Sequence, residues 1–445
     1  MRILRKITRQ LRSAPGSNDN FRYYTTSGVL FTIVTIFTRT YAPKFMDRLG
    51  ADSLHFSLFN ALPGLVAVLT TIPGILYIQN SKDKEKLMRR FFYLSRFFPL
   101  LFILTPFLPQ GIRAYVFVLL FSLMNLPESI GQTALQSWTG DIFKPGEVAD
   151  ALSIRNRLSQ VTMLAVSVVV GLTLSLPDSG SSHQIILIYQ VLFGASVLFG
   201  IFEIRSLKRI TPVRINPNPR RLQAGRSMLN VFRHKPFRSF ILCSLIFHFG
   251  WQMGWPLFSY YQISILGADE KWLTVITAVS AISMALSYSL WSAFIKRNGM
   301  KLTTAVVCLG MATSPVLAAW SPTLPIYVLI NVTMGFFTSG ITVVILGSLL
   351  ESTRPEDALV STAVHQTLIN LTLFLSPFLG EIFLRSFGID AALYASAAFR
   401  TVGALAFFTR WYVMDVRSGK SSAEAVSERF STSPAAQIGI RKPAG

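Results

Sequence analysis

Two residues in this sequence are costly to place in oil. Glu128 lies within the apolar run SLMNLPESIGQTALQSWTGDIF (122–143), and Arg39 lies within GVLFTIVTIFTRT (28–40). An ionised side chain near mid-membrane costs about 2.5–3.5 kcal/mol on insertion scales unless it is paired, neutralised or hydrated. Glu128 therefore has two open roles: a proton carrier that alternates between charged and neutral forms, or one half of a fixed ion pair. Arg39 has two as well. Its guanidinium can hold a carboxylate or phosphate bidentately, or it can neutralise Glu128 or bond a carbonyl.

Both residues belong to polar stripes, since positions three or four apart share a helix face. The first stripe is Thr32, Thr35 and Arg39, and the second is Asn125, Glu128, Gln132 and Gln136. Two more run through Ser244, His248, Gln252, Trp255, Ser259 and Gln262, and through Asn331, Gly335, Thr338 and Thr342. For the uncharged members, hydrogen bonding between packed helices competes with a role in a wet pathway. His248 can titrate near neutral pH and Trp255 can stack on a solute, yet both residue types also serve as packing.

Such stripes need helices long enough to carry them. Apolar runs of about 20 residues, enough at roughly 1.5 Å per residue to cross the hydrocarbon, recur along the chain. They fall at 24–46, 53–79, 91–109, 113–140, 151–175, 184–205, 237–265, 270–295, 301–319, 324–350, 358–385 and 390–413. Barrel strands would instead alternate over about ten residues. With 51% hydrophobic and only 14% charged residues, the expected fold is all-α, a membrane protein of twelve transmembrane helices.

A net charge of +21 would suggest a nucleic-acid partner in a soluble protein, but here the charge is one-sided. Thirty-five of the 42 Lys and Arg fall in the terminal segments and alternate loops, counting 82–96 and 410–445 among them. Lys44, Arg48, Arg113, Lys271 and Arg385 lie in the loops on the other side or at their edges, and the remaining two, Arg39 and Arg400, fall inside spans. The positive-inside rule then puts both termini in the cytoplasm, and the anionic inner leaflet of the lipid bilayer accounts for the charge without nucleic acid. The expected location is a plasma membrane, as in the bacterial inner membrane. Residues 1–22 are basic without a cleavable apolar core, so no removable signal peptide is expected. Cys243 and Cys308 show no paired spacing.

The chain divides into an N-terminal half (1–205), a Pro-, Asn- and Arg-rich linker (206–236), a C-terminal half (237–415) and a tail (416–445). The halves are internally similar. DIFKPGEVADAL (141–152) matches ESTRPEDAL (351–359), Tyr189 and Arg205 match Tyr394 and Arg410 at equal spacing, and basic turns follow spans two and eight.

Twelve spans, cytoplasmic termini, a long basic central loop and two similar six-helix halves resemble the major facilitator superfamily (MFS) of secondary transporters. That family's Gly-x-Leu-x-Asp-Arg-x-Gly-Arg-Arg turn is only partly kept. Gly74 and Leu76 match after span two, with Ile78 in the acidic position, while Arg297, Gly299 and Lys301 match after span eight, with Lys296 there. A span-four arginine common in the family is replaced by Pro127, and span five offers only Gly171 against the glycine-rich antiporter motif.

The resemblance implies two pseudo-symmetric six-helix bundles, with spans one, four, seven and ten around a central cavity. It makes Arg39, Asn125, Glu128, Gln132, His248, Gln252, Trp255, Asn331 and Thr338 the pathway candidates. At the cytoplasmic end of span four, Asp141 with Arg155 and Arg157 is the candidate gating network, against ordinary solvated loop charge.

No metal-binding His-Glu-x-x-His, phosphate loop or nucleophile elbow is present, so neither a metal site, a cofactor nor an enzyme is expected. The reading is a secondary active transporter of a small organic solute, anionic or amphipathic, working by alternating access with proton coupling. The competing reading is a non-transporting sensor or assembly scaffold on the same fold.

Overall fold

A computed structural model describes residues 18–80, 83–143, 148–177, 182–211, 230–354 and 357–416. Twelve long helices occupy them: α1 (Asn18–Thr35), α2 (Ser53–Asn80), α3 (Lys84–Phe102), α4 (Gln110–Ile142), α5 (Val148–Leu174), α6 (Ser182–Lys208), α7 (Lys235–Tyr260), α8 (Glu270–Asn298), α9 (Met300–Ala319), α10 (Leu324–Glu351), α11 (Ala358–Phe387) and α12 (Ile389–Trp411). No strand occurs among the described residues. The linker segment 212–229 and most of the tail lie outside them.

Nine of these helices are long and apolar enough on their own to cross a membrane. The other three, α1, α3 and α7, open on polar or charged turns (NDNFRYYTTS, KEKLMRR, KPFR). They pack within the bundles: α1 on α5 and α6, α3 on α4 and α6, and α7 on α11 and α12.

Helix ends are set by local chemistry. Asp83 and Asp269 cap α3 and α8 by accepting from the backbone N–H groups of Lys86 and Trp272. Gly299 (φ 80°, ψ 165°) joins α8 directly to α9, and Gly388 (φ 86°, ψ 174°) joins α11 to α12. L side chains rarely adopt that backbone conformation, so glycine makes both one-residue corners.

The two halves repeat one packing scheme. In the first, α1 packs on α5 and α6, α3 on α4 and α6, and α2 on α4. Advancing each number by six gives α7 on α11 and α12, α9 on α10 and α12, and α8 on α10, and every one of these pairs is present. Local irregularities repeat too. α1 runs into a π-helical turn (Ile36–Thr40) and α7 into another (Tyr261–Ile265). The chain is an all-α membrane protein of twelve transmembrane helices in two pseudo-symmetric six-helix bundles.

The halves meet through α2 against α11 and α5 against α8, two contacts that exchange when the halves are swapped, and through α2 against α7. Polar contacts between them cluster at the end opposite the chain termini, here called the distal end. Arg48 binds Glu270 bidentately at 2.6 and 2.8 Å, with Tyr189 donating to the same carboxylate at 3.2 Å. Tyr41, whose hydroxyl also donates within its own half to the Ser167 carbonyl, bonds Thr274, while Ser53 and Ser57 donate to Glu381. Gly64 lets α2 approach α11 closely, since a Cβ there would lie 2.8 Å from backbone atoms of Asn370 and Phe374.

Candidate functional site

Arg39 sits in the π turn that follows α1, where one extra residue per turn rotates its side chain out of the α-helical phase. Two hydroxyls near that turn bond back into the helix, Thr35 to the Phe31 carbonyl and Thr38 to that of Val34. The guanidinium reaches α4. It donates to Asn125 Oδ1 at 2.9 Å and to Glu128 Oε1 at 3.0 Å, and lies 5.3 Å from the centre of the Phe121 ring.

Glu128 is not a lone carboxylate. Its second oxygen accepts from Arg96 Nη1 at 3.1 Å, and Arg96 in turn donates through Nε and Nη2 to Glu203 Oε2 at 3.2 and 2.8 Å. Arg39, Glu128, Arg96 and Glu203 thus form a chain of alternating charge, neutral in sum, across α1, α4, α3 and α6. Side-chain exposure falls along it, 27% for Arg39, 9% for Glu128, 3% for Arg96 and 1% for Glu203. Only the Arg39 end is open.

It opens onto a cavity of about 370 Å³. Phe31, Thr35 and Arg39 line it from α1 and its π turn, Pro63 and Ala67 from α2, and Asn125, Glu128, Ser129 and Gln132 from α4. Three of these nine side chains are apolar and six can hydrogen-bond, and the Gln132 amide nitrogen is buried and unpartnered among the described residues. Gln136, the last member of the stripe, is exposed and outside this lining.

Arg96 and Glu203 escaped the sequence reading, for opposite reasons. Arg96 follows Lys84, Lys86, Arg89 and Arg90 and reads with them as loop charge, whereas the structure buries it between the Phe31 and Phe92 rings at 5.5 and 5.6 Å. Gly200 of α6 makes the room, since a Cβ there would lie 2.5 Å from Arg96 Cδ. Glu203 was legible as the sole carboxylate inside the run 184–205. Arg410, which also reads as loop charge, is likewise buried, donating to Ser352 Oγ at 2.6 Å over the Phe240 ring.

In the second half, the predicted residues go elsewhere than this cavity. His248 bonds Ser244, Gln252 accepts from Thr372 of α11 at 2.6 Å, and Trp255 is partly exposed with its ring 5.6 Å from that of Trp251. Asn331 and Thr338 bond carbonyls one turn back in α10, at Tyr327 and Met334. Arg155 of α5 packs on α1, its guanidinium 4.5 Å from the Tyr24 ring centre and its stem against Gly28. Arg157 is exposed, and the Asp141 side chain lies outside the described residues.

Arg400 of α12 is fully buried with no carboxylate partner among the described residues. Pro315 explains it. Lacking an N–H, Pro315 leaves the Met311 carbonyl of α9 without its helical donor. Arg400 Nη1 supplies one at 2.9 Å, and its other nitrogens donate to the Gly250 and Trp251 carbonyls of α7.

The profile of the MFS/sugar transport protein family matches residues 23–359, most of the chain. No curated protein sequence matches it. Among solved structures, the nucleoside transporter NupG is similar at a TM-score of 0.63 and 15% identity, covering 88% of this chain and 98% of that one. A bacterial homologue of the human lysosomal transporter Spinster, inward-facing and unoccupied, gives 0.64 at 12% identity, covering 89% and 97%. A D-xylose–proton symporter gives 0.63 at 13%, covering 87% and 96%. At such identities the likeness is one of fold, and the family match carries the assignment. This chain belongs to the MFS/sugar transport protein family, and through it to the major facilitator superfamily of membrane transporters.

Proposed function

We propose that the protein is a secondary carrier that moves a small amphipathic organic anion across a plasma membrane by alternating access, coupled to protons. Both termini lie in the cytoplasm by the positive-inside rule, which makes the distal end external. The contacts of Arg48, Tyr41, Ser53 and Ser57 with the second half then close the external side, and rocking of the two halves breaks and remakes them.

The observation that carries this reading is the Arg39 guanidinium, paired yet partly exposed over a cavity. Its two bonds to Asn125 and Glu128 leave further N–H donors for a bound solute. Phe31, Pro63 and Ala67 suit the apolar part of such a solute, and Ser129 and Gln132 its remaining polar atoms. The balanced charges behind Arg39 hold it in place without cancelling its donors.

A thermal-shift screen of organic anions on the purified protein, followed by vesicle uptake with an internal pH dye, tests the reading. Ligands that bind the folded form raise its apparent stability. Arg39→Ala should remove that stabilisation; an undiminished shift in Arg39→Ala would refute the site.

A further inference from the structure

Glu128 is poorly placed to carry a proton, because each of its oxygens already holds a guanidinium. A different buried titratable group is free to do so. Ser244 and His248 lie one turn apart on α7, and His365 meets them from α11. His248 Nδ1 is 2.7 Å from the Ser244 carbonyl oxygen, which can only accept, so Nδ1 bears the ring hydrogen. The Ser244 hydroxyl lies 3.1 Å from that nitrogen and 2.8 Å from His365 Nε2. With Nδ1 already a donor, the hydroxyl hydrogen is not needed for that bond, and in the His365 tautomer that carries its hydrogen on Nδ1 the hydroxyl donates to Nε2.

We propose that the chain His248–Ser244–His365 is the proton-binding site of this protein, an inference that rests on the proton-coupled carrier reading. A proton from solvent forms an N–H bond at His365 Nε2 and leaves by the reverse step. While it is bound, Nε2 donates to Ser244 Oγ, and the hydroxyl hydrogen must turn away. The α7–α11 contact thus has two hydrogen-bond arrangements that differ by one proton. Because α11 also packs on α2 across the halves, this contact is placed to bias their rocking.

The surroundings single out the pair. The two rings are 5.9 Å apart, His365 lies against Phe240, and His248 lies against Phe247 and Trp251. Neither histidine has a carboxylate partner among the described residues. Of the ionisable groups on neighbouring helices, Arg410 of α12 stacks on the same Phe240 ring, and Cys243 of α7 adjoins Ser244. Cys308 of α9 is buried in the same core cluster as Cys243, and Arg400 is buried farther along α7. α2 brings only His55 and Tyr77, and α10 only Tyr327 and Glu351, near their ends. One turn from His365 toward the termini, Ser361 is buried with its hydroxyl unpartnered among the described residues, a polar step toward that side.

The test is a pH titration of the full-length, ¹⁵N-histidine-labelled protein in nanodiscs, followed by NMR. Coupled sites titrate as a pair. The His248 and His365 signals should move together, and His365→Gln should shift the His248 midpoint by about one pH unit or more. Ser244→Ala should separate the two titrations. Two rings that stay neutral from about pH 4 to 9, a range that brackets the ordinary imidazole, or that titrate independently with Ser244 intact, overturn the site. In vesicles, solute-driven proton movement that survives in the His248→Gln/His365→Gln variant also overturns it and leaves the carrier reading standing. Coupled titration in a protein that moves no solute supports the site and removes the carrier reading instead.

Discussion

Arg96 of α3 and Glu203 of α6 form an ion pair inside the first bundle, Nη2 to Oε2 at 2.8 Å, with almost no side-chain surface exposed. The pair anchors a chain of charges whose far end, Arg39, faces the cavity. Its strength and its cost both come from burial: desolvation of each ion is offset only while every partner is present.

Removing one partner should therefore cost much more than removing both. Arg96→Ala strands Glu203 and half of Glu128, with an expected loss of about 3–5 kcal/mol in unfolding free energy. Arg96→Met combined with Glu203→Leu should recover a large part of that loss. A double variant as unstable as the single one would show that the ion pair is not what fails.

Room for Arg96 comes from the missing side chain at Gly200. Gly200→Ala places a methyl group 2.5 Å from Arg96 Cδ, and overpacking of this kind costs about 1–3 kcal/mol. Gly111→Ala on α4, with nothing within 4 Å of its Cβ, is the matched control and should leave thermal unfolding in detergent unchanged.

At the distal end, Arg48 and Glu270 lock α8 to the short helix Ala42–Arg48 that follows the π turn. Arg48→Gln or Glu270→Gln should favour the distal-open arrangement. A cysteine replacing Val170, buried on α5 beside Gly171, which meets Thr274 of α8, should then be alkylated from that side at least about tenfold faster, the equivalent of 1.4 kcal/mol. The double substitution should add little to either single one, as for two residues in one contact. Unaltered alkylation would mean that the pair does not latch the halves.

Arg400 and Pro315 should behave as a coupled pair although they lie on different helices. Arg400→Met leaves the Met311 carbonyl without a donor, with an expected cost of about 1–3 kcal/mol. Pro315→Ala restores a backbone N–H to that carbonyl, so the double variant should regain part of the loss. Strict additivity in a denaturation series would contradict this account of the buried arginine.

The twelve spans were legible because lipid demands long apolar runs whose backbones bond internally, and such runs persist whatever they pack against. The stripe Asn125–Glu128–Gln132 was legible from helical spacing, as was the placement of Arg39 in a span. Glu203 was equally readable as a lone carboxylate within a run. Arg96 was hidden by four basic neighbours that are loop-like by every local measure, and only α3 packing on α6 turns it inward.

Spacing also could not decide whether Arg39 and Glu128 meet. Counted along ideal helices their depths differ, but the π turn changes the phase of Arg39, and the guanidinium spans the remainder. The polar members of α10 behave differently again, bonding their own helix and not the cavity. Similar three- and four-residue spacing on α4 and α10 thus leads to different partners.

Local sequence by itself determined the helices, their one-sided charge and the duplicated plan, because these depend on hydropathy and on residues near in the chain. The tertiary structure alone decided which charges are paired, which stripe lines a cavity, and that His248 faces His365 from a distant part of the chain. Ionic and hydrogen-bond partners are chosen by distances of about 3 Å, and only the packing of distant helices sets those.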